Sequence, residues 1–265
     1  MRCQILLAVI ICGITAGSVC ADGLVYQLPP DGAWARYNVK TEGEQGFDNG
    51  PRQKLDIAST LTLSSVGEVT RNEQKCRWLE LKTESKTEGV YPKLVLKMLI
   101  PVDRLRRGKD PLSHATLTFF NPKPIDNEKI NSFIDEGFNR IQYEIDRFRD
   151  VFPKPLDEPK SLQRETIETT AGKFADCEVL WGKSDYDGPL LGDGRGVFQA
   201  TYRIAIHPKA PFGVVSMKFE LHGREIGEED QPALFLKATK TLTLAETGTK
   251  AISDLPKLPA KKLDE

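Results

Sequence analysis

The sequence predicts a mainly β protein of the α+β class: a curved antiparallel sheet, or half-barrel, with one long amphipathic helix packed on it. Three observations predict it. Apolar and polar residues alternate with a period of two along most of the chain. Clusters of Pro, Gly, Asn and Asp separate the alternating runs, as turns do. A single segment, residues 127–152, instead carries apolar residues at spacings of three and four.

Four candidate strands precede the helical segment, each with apolar side chains on alternate positions. Residues 41–53 are polar and glycine-rich, so a loop is predicted there. A polar turn is predicted near Gly67 and Asn72. Pro101 ends the fourth run, since proline cannot donate to a sheet ladder. The four strands are Trp34 to Lys40, Leu55 to Leu63, Cys76 to Lys82 and Leu94 to Ile100.

The segment 127–152 has the features of a helix with one apolar stripe. Asp126 or Asn127 can cap its start, and Pro153 stops it. We expect the stripe to cover one face of the sheet; the alternative is a helix that plugs or gates a concave apolar cavity. The stripe consists of Ile130, Ile134, Phe138, Ile141, Ile145, Phe148 and Phe152.

A hairpin is predicted near the C-terminus, followed by a last strand from Leu234 to Leu244. Its first arm carries Phe198, Tyr202 and Ile204 on one face, and its second carries Val215, Met217, Phe219 and Leu221. The predicted register pairs residues whose numbers sum to 419, which sets Ile204 opposite Val215 and Tyr202 opposite Met217. A slip by one residue would turn one apolar set to the other face.

The first 21 residues resemble a cleavable secretory signal. A short basic start precedes an apolar run of about ten residues, too short for a transmembrane helix. Val19 and Ala21 suit cleavage after Ala21; the alternative, lipidation at Cys20, fits less well because Val19 stands before it. We therefore expect a secreted or periplasmic protein without a transmembrane span, with one β-rich domain at 22–247 and a disordered tail at 248–265.

Charge and cysteine content narrow the functional classes. Without residues 1–21, whose one charged residue is Arg2, 36 basic residues face 38 acidic ones, a net charge of −2. A near-neutral chain has no electrostatic reason to bind nucleic acid. Only Cys76 and Cys177 remain beyond the signal. Two alternatives stay open for them: a disulfide bridge, or two buried free thiols.

No pattern of catalytic or metal-binding residues is present. His207 and His222 fall at opposite ends of the predicted hairpin, and the Gly-Lys-Ser at 182–184 lacks the earlier glycine of a phosphate loop. We therefore expect no enzyme activity, no metal and no cofactor. The alternative is a hydrolase of envelope material that uses His114 or the acidic loop from Asp185 to Asp193, which includes Asp187.

Three stretches resemble uncharacterised secreted bacterial proteins of half-barrel type, similar to lipoprotein-carrier and lipoprotein-acceptor folds. The resemblance implies a strongly curved antiparallel sheet with helical material on its concave face. Carriers of this kind bind acyl chains there, and no ligand-binding residue transfers onto this sequence. The stretches are Thr170 to Cys177, Ala210 to Val215, and Leu99 to Pro101 with Arg107 to Leu112.

These observations favour a secreted, non-catalytic module that binds an apolar ligand or a protein partner. The alternative is a structural envelope protein that acts through protein contacts. A ligand would meet the continuous apolar faces of the hairpin and the helix. The candidate residues are Phe198, Tyr202, Met217 and Phe219 on the sheet and Phe138, Ile141 and Phe148 on the helix.

Overall fold

The computed structural model describes residues 25–47, 50–85, 93–104, 117–121, 160–189, 195–226 and 234–255. Within these ranges the chain forms one open, curved antiparallel sheet of eleven strands, which confirms the mainly β prediction. The predicted signal at 1–21 and the predicted helix at 127–152 lie outside the described residues.

The strands are long, and several exceed the predicted runs at both ends. One short 3-10 helix, Val102–Arg104, follows the fourth strand. The strands are β1 (Trp34–Phe47), β2 (Arg52–Arg71), β3 (Gln74–Ser85), β4 (Lys93–Pro101), β5 (Leu117–Asn121), β6 (Lys160–Ser161), β7 (Glu165–Thr169), β8 (Gly172–Pro189), β9 (Arg195–Ile206), β10 (Val214–Ile226) and β11 (Leu234–Gly248).

The strand order is β5-β4-β3-β2-β1-β11-β10-β9-β8-β6, with β7 paired to β8 beside this path. Consecutive strands are neighbours on each side, so two meanders meet where β1 pairs with β11. The β1–β11 pair therefore joins the first and the last strand in sequence order. The strands on both sides of residues 122–159 therefore belong to one sheet.

The predicted loop at 41–53 is wrong for most of its length. Residues up to Phe47 extend β1, and β2 begins at Arg52, with Thr41 opposite Ile57 and Gly43 opposite Leu55. Glycine serves close packing here: a Cβ on Gly43 would lie 2.1 Å from the Lys237 carbonyl oxygen. The glycine-rich composition therefore marks a close approach of two backbones, not a loop.

The β2–β3 hairpin turns at Asn72, as predicted, while Gly67 has another role. Asn72 and Glu73 have φ values of 48° and 62°, the pair of positive values that a two-residue type I′ turn requires. Gly67 (φ 130°) lies in a bulge, because the register shifts between Ser65 and Glu68. Such bulges bend a strand and raise its twist.

The predicted register of the β9–β10 hairpin is wrong by two residues. Tyr202 lies opposite Phe219, and Met217 lies opposite Ile204. One residue of the shift arises because the turn extends through Gly213, and the other from a bulge between Val214 and Ser216. A shift of two keeps every side chain on its predicted face.

A large hydrophobic cluster covers one face of the sheet. We call this side of the sheet the apolar face. Between each two neighbouring strands from β4 to β9, at least one pair of cluster residues lies directly opposite, so the cluster is continuous. The loop before β10 and the segment at Val25 close over one end of it. Its buried members include Tyr37, Leu61, Leu63, Leu79, Leu81, Leu96, Met98, Ile204, Phe212, Met217, Leu242 and Leu244.

The opposite face, which we call the second face, carries a smaller cluster on β3 and β4. Trp78 lies directly opposite Leu99 there, with Cys76 beside them. Residues 249–255 cross this face in contact with Glu80. Of the predicted tail, Gly248 thus ends β11 and residues 249–255 contact the sheet. Its contacts are polar and ionic, and apolar periodicity cannot reveal such contacts. Residues 256–265 lie outside the described residues.

The two cysteines are free thiols and both are buried. Cys177 belongs to the large cluster, whereas Cys76 belongs to the small cluster on the second face. Burial raises the pKa of both thiols above its usual range. Of the two alternatives that the sequence leaves open, the structure has the unbridged one.

Candidate apolar binding face

The candidate site lies on the apolar face, at the end of the sheet away from Phe212. A separate group of side chains packs there, which we call the aromatic cluster because three of its members are aromatic. Four different strands, β2, β9, β10 and β11, contribute to it. Its buried members are Leu55, Phe198, Ala200, Tyr202, Leu221 and Leu236, and its partly buried members are Phe219 and Ala238.

Rows of directly opposite residues position these side chains. The outermost row runs from Phe198 through Gly223 and Leu236 to Gln45. The next row contains Ala200, Leu221, Ala238, Gly43 and Leu55 in that order. This row therefore consists of three small residues and two leucines, and the rows on either side of it contain the aromatic rings.

The aromatic rings are held by two close contacts. Tyr202 and Phe219 pack with ring centroids 4.8 Å apart at an interplanar angle of 32°. Phe198 covers the cross-strand neighbour Gly223, where an added Cβ would lie 2.4 Å from the Phe198 ring. A glycine covered by an aromatic ring is a known device for pinning strand register.

One polar side chain is buried at the edge of this cluster. Gln45 on β1 is 2% exposed and lies directly opposite Leu236. Among the described residues, its amide Nε2 has no hydrogen-bond partner. A buried donor without a partner is unfavourable, and native proteins satisfy most such groups. Gln45 therefore carries an unused hydrogen-bond donor at the edge of the aromatic cluster.

The structure brings together three of the seven predicted ligand-binding residues. Phe198, Tyr202 and Phe219 lie in the aromatic cluster, while Met217 belongs to the large cluster on the same face. The helix candidates Phe138, Ile141 and Phe148 lie outside the described residues. Sequence reasoning did not identify Leu55, Leu236 and Gln45 as site residues. Leu55 and Leu236 lie in predicted strands, whereas Gln45 lies in the segment predicted as a loop. The β1–β11 pairing brings Gln45 and Leu55 to the same end of the sheet as Phe198.

The titratable residues of the described ranges include candidates that the sequence offered for a metal or catalytic site, and the structure places them as follows. These ranges contain no group of three or more His, Cys, Asp or Glu that could hold a metal ion. His222 lies opposite Gln199, not opposite Val197 as the predicted register required. Asp185 accepts a hydrogen bond from Gln199 Nε2 at 3.1 Å. His114 and Asp193 lie outside the described residues.

These features define a class of protein: an open antiparallel sheet with a continuous apolar face. No family model matches the chain, and no curated protein matches it. Among solved structures, it is similar to a "putative lipoprotein" from Parabacteroides distasonis ATCC 8503, at 12% identity and a TM-score of 0.36. That match covers 88% of this chain and 100% of the other.

A second similar structure is an exported protein with a YmcC-like fold from Bacteroides fragilis NCTC 9343, also named only as "putative". It has 10% identity and a TM-score of 0.34 over 86% of this chain and 100% of the other. Lipovitellin, solved to show lipid–protein interactions, matches at 11% identity and a TM-score of 0.35, over 85% of this chain and 26% of its own.

In the part of the chain that the structure describes, no helix is long and apolar enough to cross a bilayer.

Proposed function

We propose that the protein is a secreted or periplasmic, non-catalytic module that binds an apolar ligand on its apolar face, at the aromatic cluster. The observation that carries this proposal is the pairing of that cluster with the buried, unpartnered Gln45. A purely structural core would gain stability by replacing this amide with an apolar side chain, because an unsatisfied buried donor costs about 1–3 kcal/mol.

The ligand class follows from the two kinds of contact. The rows of alanine, glycine and leucine accept an apolar chain, and each 100 Å² of apolar surface removed from water contributes about 2.5 kcal/mol before the cost of association. Gln45 is neutral, and its Nε2 carries a donor that makes no hydrogen bond within the described residues. The ligand therefore combines an apolar chain with an acceptor oxygen near one end.

The long amphipathic helix at 127–152 is part of this proposal. Residues 122–159 connect β5 to β6, which lie at opposite ends of the strand order. Nine strand spacings of about 4.8 Å separate these strands along the sheet, roughly 43 Å. A helix over 127–152 would be about 39 Å long. Its apolar stripe and the apolar face of the sheet have matching chemistry, which supports packing of one on the other.

Export and the absence of catalysis complete the proposal. We propose cleavage after Ala21, with lipidation at Cys20 as the alternative, and mass spectrometry of the protein from its native host distinguishes the two.

The lack of any predicted catalytic pattern supports a binding role. A hydrolase that uses His114 and Asp187 would lose activity on envelope material when both are substituted.

Ligand binding is tested with the mature full-length protein and a fluorescent fatty acid, together with native mass spectrometry after gentle extraction. Ala238→Phe places a ring among the small residues of the aromatic cluster, so we expect uptake of the probe to fall about tenfold or more. Thr239→Phe is the matched control, since it adds the same ring at the next position, on the second face. Protein that always emerges ligand-free and takes up no probe would overturn the proposal.

A further inference from the structure

The last described residues form a strap over the second face of the sheet. We define the strap as Thr249–Leu255, which follows β11 and belongs to none of the strands. Ala251 N–H donates to the Gly32 carbonyl oxygen at 2.7 Å and anchors the strap's first half. Its second half lies over β3 and β4 and makes most of the contacts.

The strap contacts two buried charged side chains. Glu80 and Lys97 lie directly opposite each other on β3 and β4, and they are 4% and 6% exposed. The Ser253 hydroxyl donates to Glu80 Oε2 at 2.5 Å and accepts from Lys97 Nζ at 2.8 Å. The Asp254 N–H donates to Glu80 Oε1 at 2.9 Å. One carboxylate thus recognises both a hydroxyl and the following backbone amide.

The next two residues of the strap are recognised by charge and by burial. The Asp254 carboxylate lies 2.7 Å from Lys93 Nζ and 3.5 Å from Lys82 Nζ. Its hydrogen bond with Lys93 holds the pKa of Asp254 below its usual range. The Leu255 side chain is buried. By contrast Ile252, in the same strap, is 86% exposed and takes no part in recognition.

This arrangement has the parts of a peptide-recognition site on a rigid base. Glu80 and Lys97 lie on neighbouring strands within the sheet, so the β3–β4 pairing fixes their backbone positions. Buried charges are costly unless they are paired and hydrogen-bonded. The strap supplies a neutral hydroxyl and an amide that complete the pair, and the two outer lysines select an acidic residue at one position.

We propose that the second face of β3 and β4 is a peptide-binding site that the strap occupies in cis. The partner it fits is an extended segment of another protein, with a hydroxyl residue followed by an acidic and then an aliphatic residue. The strap makes its side-chain contacts through three consecutive residues, so it can open locally without unfolding the sheet. Because a tethered ligand acts at an effective concentration near millimolar, the strap keeps the site closed to weak partners.

The test uses the full-length chain and a fluorescein-labelled peptide with the sequence of residues 249–255. In the variant S253G/D254G/L255G the strap loses all three recognised side chains. We expect this variant to bind the peptide at least tenfold more tightly than the wild type, measured by anisotropy. Ile252→Gly is the matched control, because Ile252 is exposed, and it should bind like the wild type. Circular dichroism verifies folding, and D254N replaces the triple variant if that variant does not fold.

The second part of the test measures whether the site selects an acidic residue in the peptide. A peptide carrying Asp254→Asn should bind the strap variant about tenfold more weakly, and Lys93→Met in the protein should weaken the wild-type peptide similarly. Equal binding of the peptide to wild type and variant, or to neither, would overturn the proposal. A wild-type protein that dimerises at high concentration, in a manner lost in the strap variant, would assign the site to a second copy of this chain instead.

Discussion

The Tyr37 hydroxyl donates a hydrogen bond to the Val214 carbonyl oxygen at 3.2 Å, and so joins β1 to β10 across the intervening strand β11. Val214 lies at the bulge in β10, where the register shifts. Tyr37 is fully buried, and burial raises the pKa of its hydroxyl above the ordinary value. One side chain therefore ties the junction of the two meanders to the bulge that sets the hairpin register.

Removing this hydroxyl should lower stability without changing the fold. Tyr37→Phe keeps the ring and loses one buried hydrogen bond, so we expect a decrease in the free energy of unfolding of about 1–2 kcal/mol. Urea denaturation measures this decrease, and the slope of the transition should stay unchanged. Identical midpoints for the two proteins would show that the hydrogen bond contributes nothing.

The same tyrosine should make the protein sensitive to alkali. Because its folded pKa is raised, the folded state holds the proton while the unfolded state releases it near pH 10. The contribution is fully present below pH about 10 and is lost above it, by up to about 1.4 kcal/mol per pH unit. Between pH 10 and 11 the stability of wild type should therefore fall more steeply than that of Tyr37→Phe. Parallel curves would contradict this.

The contact between the strap and the sheet should depend on pH in the acid range. The pKa of Asp254 is lowered, chiefly by its hydrogen bond with Lys93, so this contact is present above the ordinary aspartate pKa of about 3.9. It is lost as pH falls through the lowered value. Limited proteolysis of the strap by pepsin between pH 4 and 2 should show cleavage rising with acid. Asp254→Asn should make cleavage less dependent on pH over that range, after correction for pepsin's own profile; the Glu80 carboxylate, which accepts from Ser253 and the backbone N–H of residue 254, remains in this variant.

The β2–β3 turn offers a stabilising substitution. Glu73 adopts φ 62°, a left-handed conformation that costs a residue with a Cβ roughly 1 kcal/mol. Glu73→Gly should therefore raise the free energy of unfolding by about 0.5–1 kcal/mol, read from thermal or urea denaturation. The control is Lys75→Gly, in β3 just beyond the turn, which should lower stability because glycine weakens a strand.

Counting free thiols tests whether the two cysteines are unbridged. With residues 1–21 removed, the chain contains Cys76 and Cys177, both buried with raised pKa values. Ellman's reagent should therefore react slowly with the folded protein and reveal two thiols after unfolding without reductant. A count of zero in that unfolded sample would establish a bridge instead.

Local patterns explain which parts of the fold were predictable. Alternation placed Phe198, Tyr202 and Phe219 on one face, and a register error of two residues left them there, because side-chain direction repeats every second residue. Composition predicted a loop at residues 41–53, and this prediction was wrong because the glycines there allow β1 to approach its neighbours closely. Turn chemistry identified Asn72 correctly.

The sequence by itself determined the mainly β class, the alternation of faces and most strand centres, since each depends on residues only a few positions apart. The tertiary structure alone decided that β1 pairs with β11. It also decided that Gln45 borders the aromatic cluster and that Ser253 and Asp254 bind across β3 and β4. These contacts join residues more than 150 positions apart, and nothing in a local pattern records which distant strand will lie beside another.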